Sequence, residues 1–204
     1  INKLEIFSLL DVDYDDRGRS GLVRIVEAEL LSPFISLREN YDRYVGAALA
    51  CELIYYWSRD YDADRNIFNL LIWALQSIDS GKSSRVVQIF FQIKIYTLLG
   101  YKLHLSGCIK CGIAEQAGKP YVFHHGRHGL LCRKCCLSPI SREMVPLSMN
   151  TIKLLQHAQG LPMEKLERLR FSDASIREAL LLFKTYGQYL LQKEILAWKF
   201  LEEI

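Results

Sequence analysis

The residues able to do chemistry crowd into one stretch. His124 to Cys136 reads HHGRHGLLCRKCC and holds three histidines and three cysteines. Cys108 and Cys111 lie upstream, so one Cys-x2-Cys pair is followed, after twenty residues, by a second pair, Cys132 and Cys135. Such a pair presents two thiolates from one tight loop. Two loops together complete a tetrahedron around Zn2+, with Zn–S distances of about 2.3 Å. Between the pairs, YVFHHGRHGLLC reads as strand, glycine-rich turn and strand, as a zinc ribbon requires. Cys136 competes with Cys135 through a looser Cys-x3-Cys, although Cys-x2-Cys is the more economical choice. Cys51, on a helix face, reads as a small core hydrophobe. A redox role for either pair wants a βαβ context that the pattern lacks.

A metal held by four thiolates has no open position, so the expected role is structural and the chain is expected not to be an enzyme. A zinc deaminase needs H-x-E and P-C-x-x-C. Here Gly107 precedes Cys108, and neither H-x-E nor HExxH occurs. His124, His125 and His128 are accordingly read as solvent-facing turn residues. Gly81-Lys82-Ser83 copies the end of a phosphate-binding P-loop, but Gln76 stands where its first glycine belongs, and a helix precedes it instead of a strand. It is read as a helix cap and linker.

Charge is uneven. Between Gly107 and Arg142, Lys110, Lys119, Arg127, Arg133, Lys134 and Arg142 face one acid, Glu115, whereas residues 1–60 are net acidic. The module is therefore expected to meet an anionic partner, with Arg17, Arg19 and Arg24 as a second, weaker basic group. No apolar run approaches the roughly 20 residues of a membrane helix, and no signal peptide is read in INKLEIFSLLD, so a cytoplasmic chain without membrane contact is expected. The chain starts at Ile1, and further residues are expected to precede it.

These groups must be positioned by ordinary elements. Ile6, Ser8, Leu10, Val12 and Tyr14 alternate with Asp11, Asp13 and Asp15 as one strand, and LVRIVEAELL reads as its hairpin partner. Ser36 and Glu39 form a capping box that opens one helix from Leu37 to about Arg59, with Tyr41, Tyr44, Val45, Ala48 and Tyr55 on its apolar face. Ile67 to Ile78 keeps helical spacing, and 84–99 is apolar nearly all round, which marks a central helix. After the cysteines come a helix from Ser148 to about Ala158, a short one begun by Pro162, and a long final helix. Ser175 and Glu178 cap that last helix, which carries Ile176, Leu180, Phe183, Leu190 and Trp198.

The order of parts (EAELLSPF after a hairpin, a helical stretch ending in LLGY, then CIKCG and GLLCRKC, then more helices) resembles the bacterial RecO family of recombination mediators. The resemblance implies an α+β, mostly α chain: a partial N-terminal OB-type β-barrel over 1–34, a helical core over 35–106 and 143–204, and an inserted zinc-ribbon module over 107–142. It also implies binding of single- and double-stranded DNA and annealing without ATP. RecR and the single-strand-binding protein SSB are the implied partners in loading RecA, in the cytoplasm at the nucleoid. Arg85 and Lys94 are the residues that the resemblance offers to the acidic SSB tail. Two other classes stay open: a zinc-ribbon module that binds protein only, and a zinc-dependent hydrolase or nuclease using the histidines.

Overall fold

The computed structural model describes residues 4–15, 23–59, 63–114, 121–136 and 143–201, and shows a mixed, mainly helical chain. Leu9–Asp15 (β1) and Arg24–Ser32 (β2) form an antiparallel pair with Val12 opposite Ala28; this two-stranded sheet is not closed. Irregular register at Leu9/Leu10 and Asp13/Tyr14 interrupts the simple alternation expected for 6–14. Tyr14 is therefore exposed, while Phe7, at φ 67°, turns inward against Tyr44. The Arg38 guanidinium donates to Ile6 O at 2.8 Å and Pro33 O at 2.9 Å and pairs with Glu5, tying the hairpin to the helices.

The single helix expected from Leu37 to Arg59 is two: Ser36–Glu39 (α1) and Tyr41–Trp57 (α2). Asn40 adopts an extended conformation between them, and its side chain accepts the Arg43 N–H as the cap of α2. Ser36 is already the first residue of α1, and Ile35, at the cap position, makes no side-chain hydrogen bond. The phase shift turns Tyr41, Tyr44 and Tyr55 outward; Val45 is buried as expected, and Leu49, Ala50 and Leu53 complete the buried face.

Arg65–Asp79 (α3), capped by Asp64, packs beside α2, and both lean on Ser84–Leu98 (α4). Every residue of α4 from Val87 to Ile93 is buried, so its polar groups need internal partners; Gln88 donates to Gly46 O at 2.6 Å. Tyr121–His124 (β3) and Gly129–Cys132 (β4) then form the expected hairpin. A third strand, Met144–Leu147 (β5), joins its far edge in the order β4-β3-β5.

Met149–Gly160 (α5), capped by Ser148, and a 3-10 segment Met163–Arg168 lead to Asp173–Leu191 (α6). Ser172, not Ser175, caps α6, and Glu178 accepts from Ser148 N instead of closing a capping box. The long final helix stops at Gln192, which is left-handed. Trp198 belongs to a separate short helix, Ala197–Leu201 (α7), whose first N–H groups are held by the Glu52 carboxylate. One contiguous apolar cluster runs from Phe7 through α4 to Leu201 and includes Cys108 and Cys132. Among the described residues, no helix is long and apolar enough to cross a membrane.

Close packing of α4 on α6 gives a test with a definite sign. A Cβ on Gly187 would stand 2.6 Å from Tyr96 Oη, and Tyr96 is fully buried. Helix propensity alone favours alanine by about 1 kcal/mol, whereas overpacking costs about 1–3 kcal/mol. Gly187→Ala is expected to lower the urea midpoint, and Tyr96→Phe, which deletes the hydroxyl, to relieve the loss. A stabilised Gly187→Ala variant would show that the contact yields.

Candidate metal centre and its surround

The first pair of cysteines sits on a knuckle shaped by backbone hydrogen bonds. Cys108 N donates to Ile113 O and Gly112 N to Cys108 O, each at 2.9 Å, with Gly112 at φ 69°. The second is built alike: Cys135 N and Cys136 N both donate to Cys132 O. Ile109 N donates to Leu130 O, and His104 exchanges hydrogen bonds with His128 and Leu130, so β4 holds the two knuckles together.

Geometry groups Cys108, Cys111, Cys132 and Cys135, whose sulfurs all lie within 4.8 Å of one another. Cys111 Sγ and Cys132 Sγ are 3.8 Å apart, the edge of a tetrahedron with metal–sulfur bonds of about 2.3 Å and far longer than a disulfide. The residues present therefore fit a metal ion held by four thiolates. Cys136 stands outside the group with its thiol directed to Met144 Sδ at 3.7 Å. Burial works to raise the Cys108 pKa, but the N–H groups of Cys132, Cys111 and Lys110 outweigh it and bring the thiol down to about 6. Cys135 is pushed up to about 12, first by its hydrogen bond with Cys111 and then by burial. Four thiols this close resist ionising together, and a divalent cation removes that conflict. Cys51 is half-buried and away from this group, and burial lifts its thiol to about 11.

The histidines do not behave as free turn residues. His125 is buried, with Nε2 3.1 Å from Thr185 Oγ1. His128 is half-buried and left-handed at φ 54°, with Nδ1 2.8 Å from Tyr186 Oη. His124 is half-buried, and its Nδ1 has no partner among the described residues. Their surroundings come from α6, some sixty residues away, which contributes Thr185, Tyr186 and Tyr189. Sequence reasoning missed these positions; the one available signal was the spacing of 185, 186 and 189 on a single helical face.

Lys110, Arg127, Arg133 and Lys134 are exposed on the knuckles and the β3–β4 turn. Arg24 is exposed at the start of β2, opposite Asp15. Arg17, Arg19 and Lys119 lie outside the described residues. Lys94 is not available as a free cation: its Nζ donates to Gln159 O at 3.0 Å and to Leu161 O, closing the end of α5, and burial lowers its pKa. Arg85 is half-buried; with Arg177, Leu180, Leu181, Trp198 and Leu201 it lines a cavity of about 140 Å³, and its Nε has no partner among the described residues. Lys82 of the P-loop-like stretch pairs with Glu167.

Burial first, then the neighbouring His124, hold the His125 pKa at about 4. The unfolded chain takes a proton there from about pH 6.5 downward, while the folded ring stays neutral. The contribution of this group is complete above pH 6.5 and is lost as pH falls towards 4. The expected result is a urea midpoint that drops between pH 7 and pH 5, and drops less in His125→Phe. Equal drops in both would remove His125 from the account.

Comparison with known proteins points to a family. The model described as "Recombination protein O C terminal" matches residues 38–199. A DNA repair protein RecO of Syntrophus aciditrophicus is 29% identical over 204 residues, covering 100% of this chain and 79% of that protein. One of Desulfosudis oleivorans is 30% identical over 207 residues, covering 98% and 80% respectively. The RecO of Dehalococcoides mccartyi is 27% identical over 178 residues, covering 87% of this chain and 68% of its own length. The chain belongs to the RecO family.

Proposed function

We propose that the chain works in DNA repair as a non-enzymatic recombination mediator. It binds single- and double-stranded DNA, anneals complementary strands without ATP and, with RecR and SSB, assists the loading of RecA, in the cytoplasm at the nucleoid. The carrying observation is the family match over residues 38–199. Chemistry of the cysteine group agrees with it: four thiolates suit structural zinc and leave no coordination position for a catalytic water. Lys110, Arg127, Arg133 and Lys134 supply exposed cations on the same module for phosphates, with Lys119, Arg17, Arg19 and Arg24 as further contacts. Annealing asks for phosphate neutralisation on two strands, not for bond-breaking groups.

In this reading 107–142 is a zinc ribbon inserted between the helical parts 35–106 and 143–204. Residues 1–34 belong to an OB-type barrel, since Tyr14, Ile25, Val26 and Leu31 expose apolar surface that further strands would cover. The acidic SSB tail is assigned to the cavity of Arg85 and Arg177, whose floor is apolar; Lys94, tied to α5, takes no part.

Two measurements test this. Complementary fluorescent oligonucleotides should anneal with the zinc-loaded chain in the absence of ATP, leaving intact products, and binding should fall with salt by about 0.7 log units per neutralised phosphate per log unit of salt. Cleaved products, or salt-insensitive binding, would overturn the reading. Separately, Arg177→Glu should weaken binding of an acidic SSB-tail peptide at least about tenfold, roughly the 1.4 kcal/mol or more of one charge-assisted contact, with annealing unchanged. Unaltered peptide affinity would remove the cavity as the tail site.

A further inference from the structure

The two cysteine knuckles do more than face one another. Between them lies a cavity of about 220 Å³ whose polar lining comes from three places in the chain: Lys110 from the first knuckle, Arg127 from the β3–β4 turn and His124 from the end of β3. Leu131, Met144 and Cys136 give it an apolar and sulfur floor, and Cys135 closes it on the side of the metal group. No carboxylate lines it among the described residues. The volume is several times the roughly 30 Å³ share of one water, enough for a phosphoryl group with part of its hydration shell. Like charges directed into one partly apolar cleft repel more strongly than on open surface, and an anion relieves that repulsion.

We infer that this cleft is a phosphate-binding site assembled by the metal: it takes a single phosphodiester group of a DNA strand, held by Lys110 and Arg127 with His124 alongside. The inference deepens the DNA-binding reading and rests on it for the identity of the anion. A zinc ion with four thiolates carries −2 and opposes an anion. The exposed cations Lys110, Arg127, Arg133 and Lys134 outnumber that charge, so a net attraction remains. Assembly by the metal follows from placement: Lys110 stands between Cys108 and Cys111, and Cys135 and Cys136 belong to the other knuckle. A bound metal would tie the knuckle of Lys110 directly to Cys135, a link that the backbone hydrogen bonds of His104 and Ile109 to residues 128 and 130 do not make.

Two arms test the site. In the first, inorganic phosphate is titrated into the zinc-loaded chain while the histidine rings are followed by NMR. The His124 signals should move and those of exposed His104 and His157 should not, and the response should vanish in Lys110→Gln/Arg127→Gln and after chelation of zinc with the helical circular dichroism retained. Equal movement at all histidines, none at His124, or a response that survives chelation would overturn the metal-assembled site. In the second arm, binding of an oligo-dT strand is measured against salt. Because both cations share one phosphate, Lys110→Gln/Arg127→Gln should reduce the slope by about 0.7 and no more, and each single variant by no more than the double. A reduction of about 1.4 in the double variant would mean two independent surface cations and would overturn the cleft. A specific phosphate response without DNA binding would leave the site standing and sink the DNA reading; DNA annealing without a phosphate response would do the reverse.

Discussion

Tyr186 is the side chain through which the cysteine module and the helical body hold one orientation. Its ring lies 5.3 Å from both Phe123 and Tyr96 and 5.9 Å from both His125 and His128, and its hydroxyl reaches His128 Nδ1 at 2.8 Å. Phe123 and the histidines belong to the module, and Tyr96 belongs to α4 at the centre of the core. The edge-on contacts with Phe123 and Tyr96 each add about 0.5–1.5 kcal/mol beyond burial, and they fix angles as well as distances. Three short strands, β3, β4 and β5, have little core of their own and are braced on α6 by this residue. The four-cysteine group follows β3 and β4, which this residue helps to seat on the helices.

The same dependence explains which parts of the molecule could be read in advance. Thiolate spacing is a local constraint, since each knuckle is closed by hydrogen bonds within a few residues of its own cysteines. Four cysteines therefore announce their grouping without any knowledge of the rest of the chain. The central helix is equally local: apolar residues on every face of 84–98 leave it nowhere to go but inside. Histidine burial is decided elsewhere. Nothing near 124–128 tells that Thr185 and Tyr186 will cover the β3–β4 turn, and a glycine-containing stretch with three histidines looks solvent-exposed.

Other departures have comparable causes. Ser36 and Glu39 have the spacing of a capping box, but Asn40 offers a competing cap four residues on, and the later one forms. Lys94 looks in sequence like a surface cation, yet its partners are carbonyls at 159 and 161, supplied by the end of a helix that follows the cysteines. Strand β5 is short, and its Pro146 argues against a strand; the ladder tolerates it because β5 sits at the edge of its sheet with Pro146 exposed. For Lys94 and β5 a long-range partner outweighs a correct local signal.

Glu52 has a consequence for the order of events in the cell. Its carboxylate, on α2, holds the N–H groups of Leu196 and Ala197, 144 and 145 residues later, and α7 then lays Trp198 and Leu201 into the core. During synthesis the part of α2 that α7 covers has no partner until about 145 further residues have been made. At about 5–20 residues per second that interval lasts on the order of ten to thirty seconds. Throughout it, an apolar face near the start of the helical body stands open to solvent and to the cell's chaperones. α7 is thus the piece that completes α2.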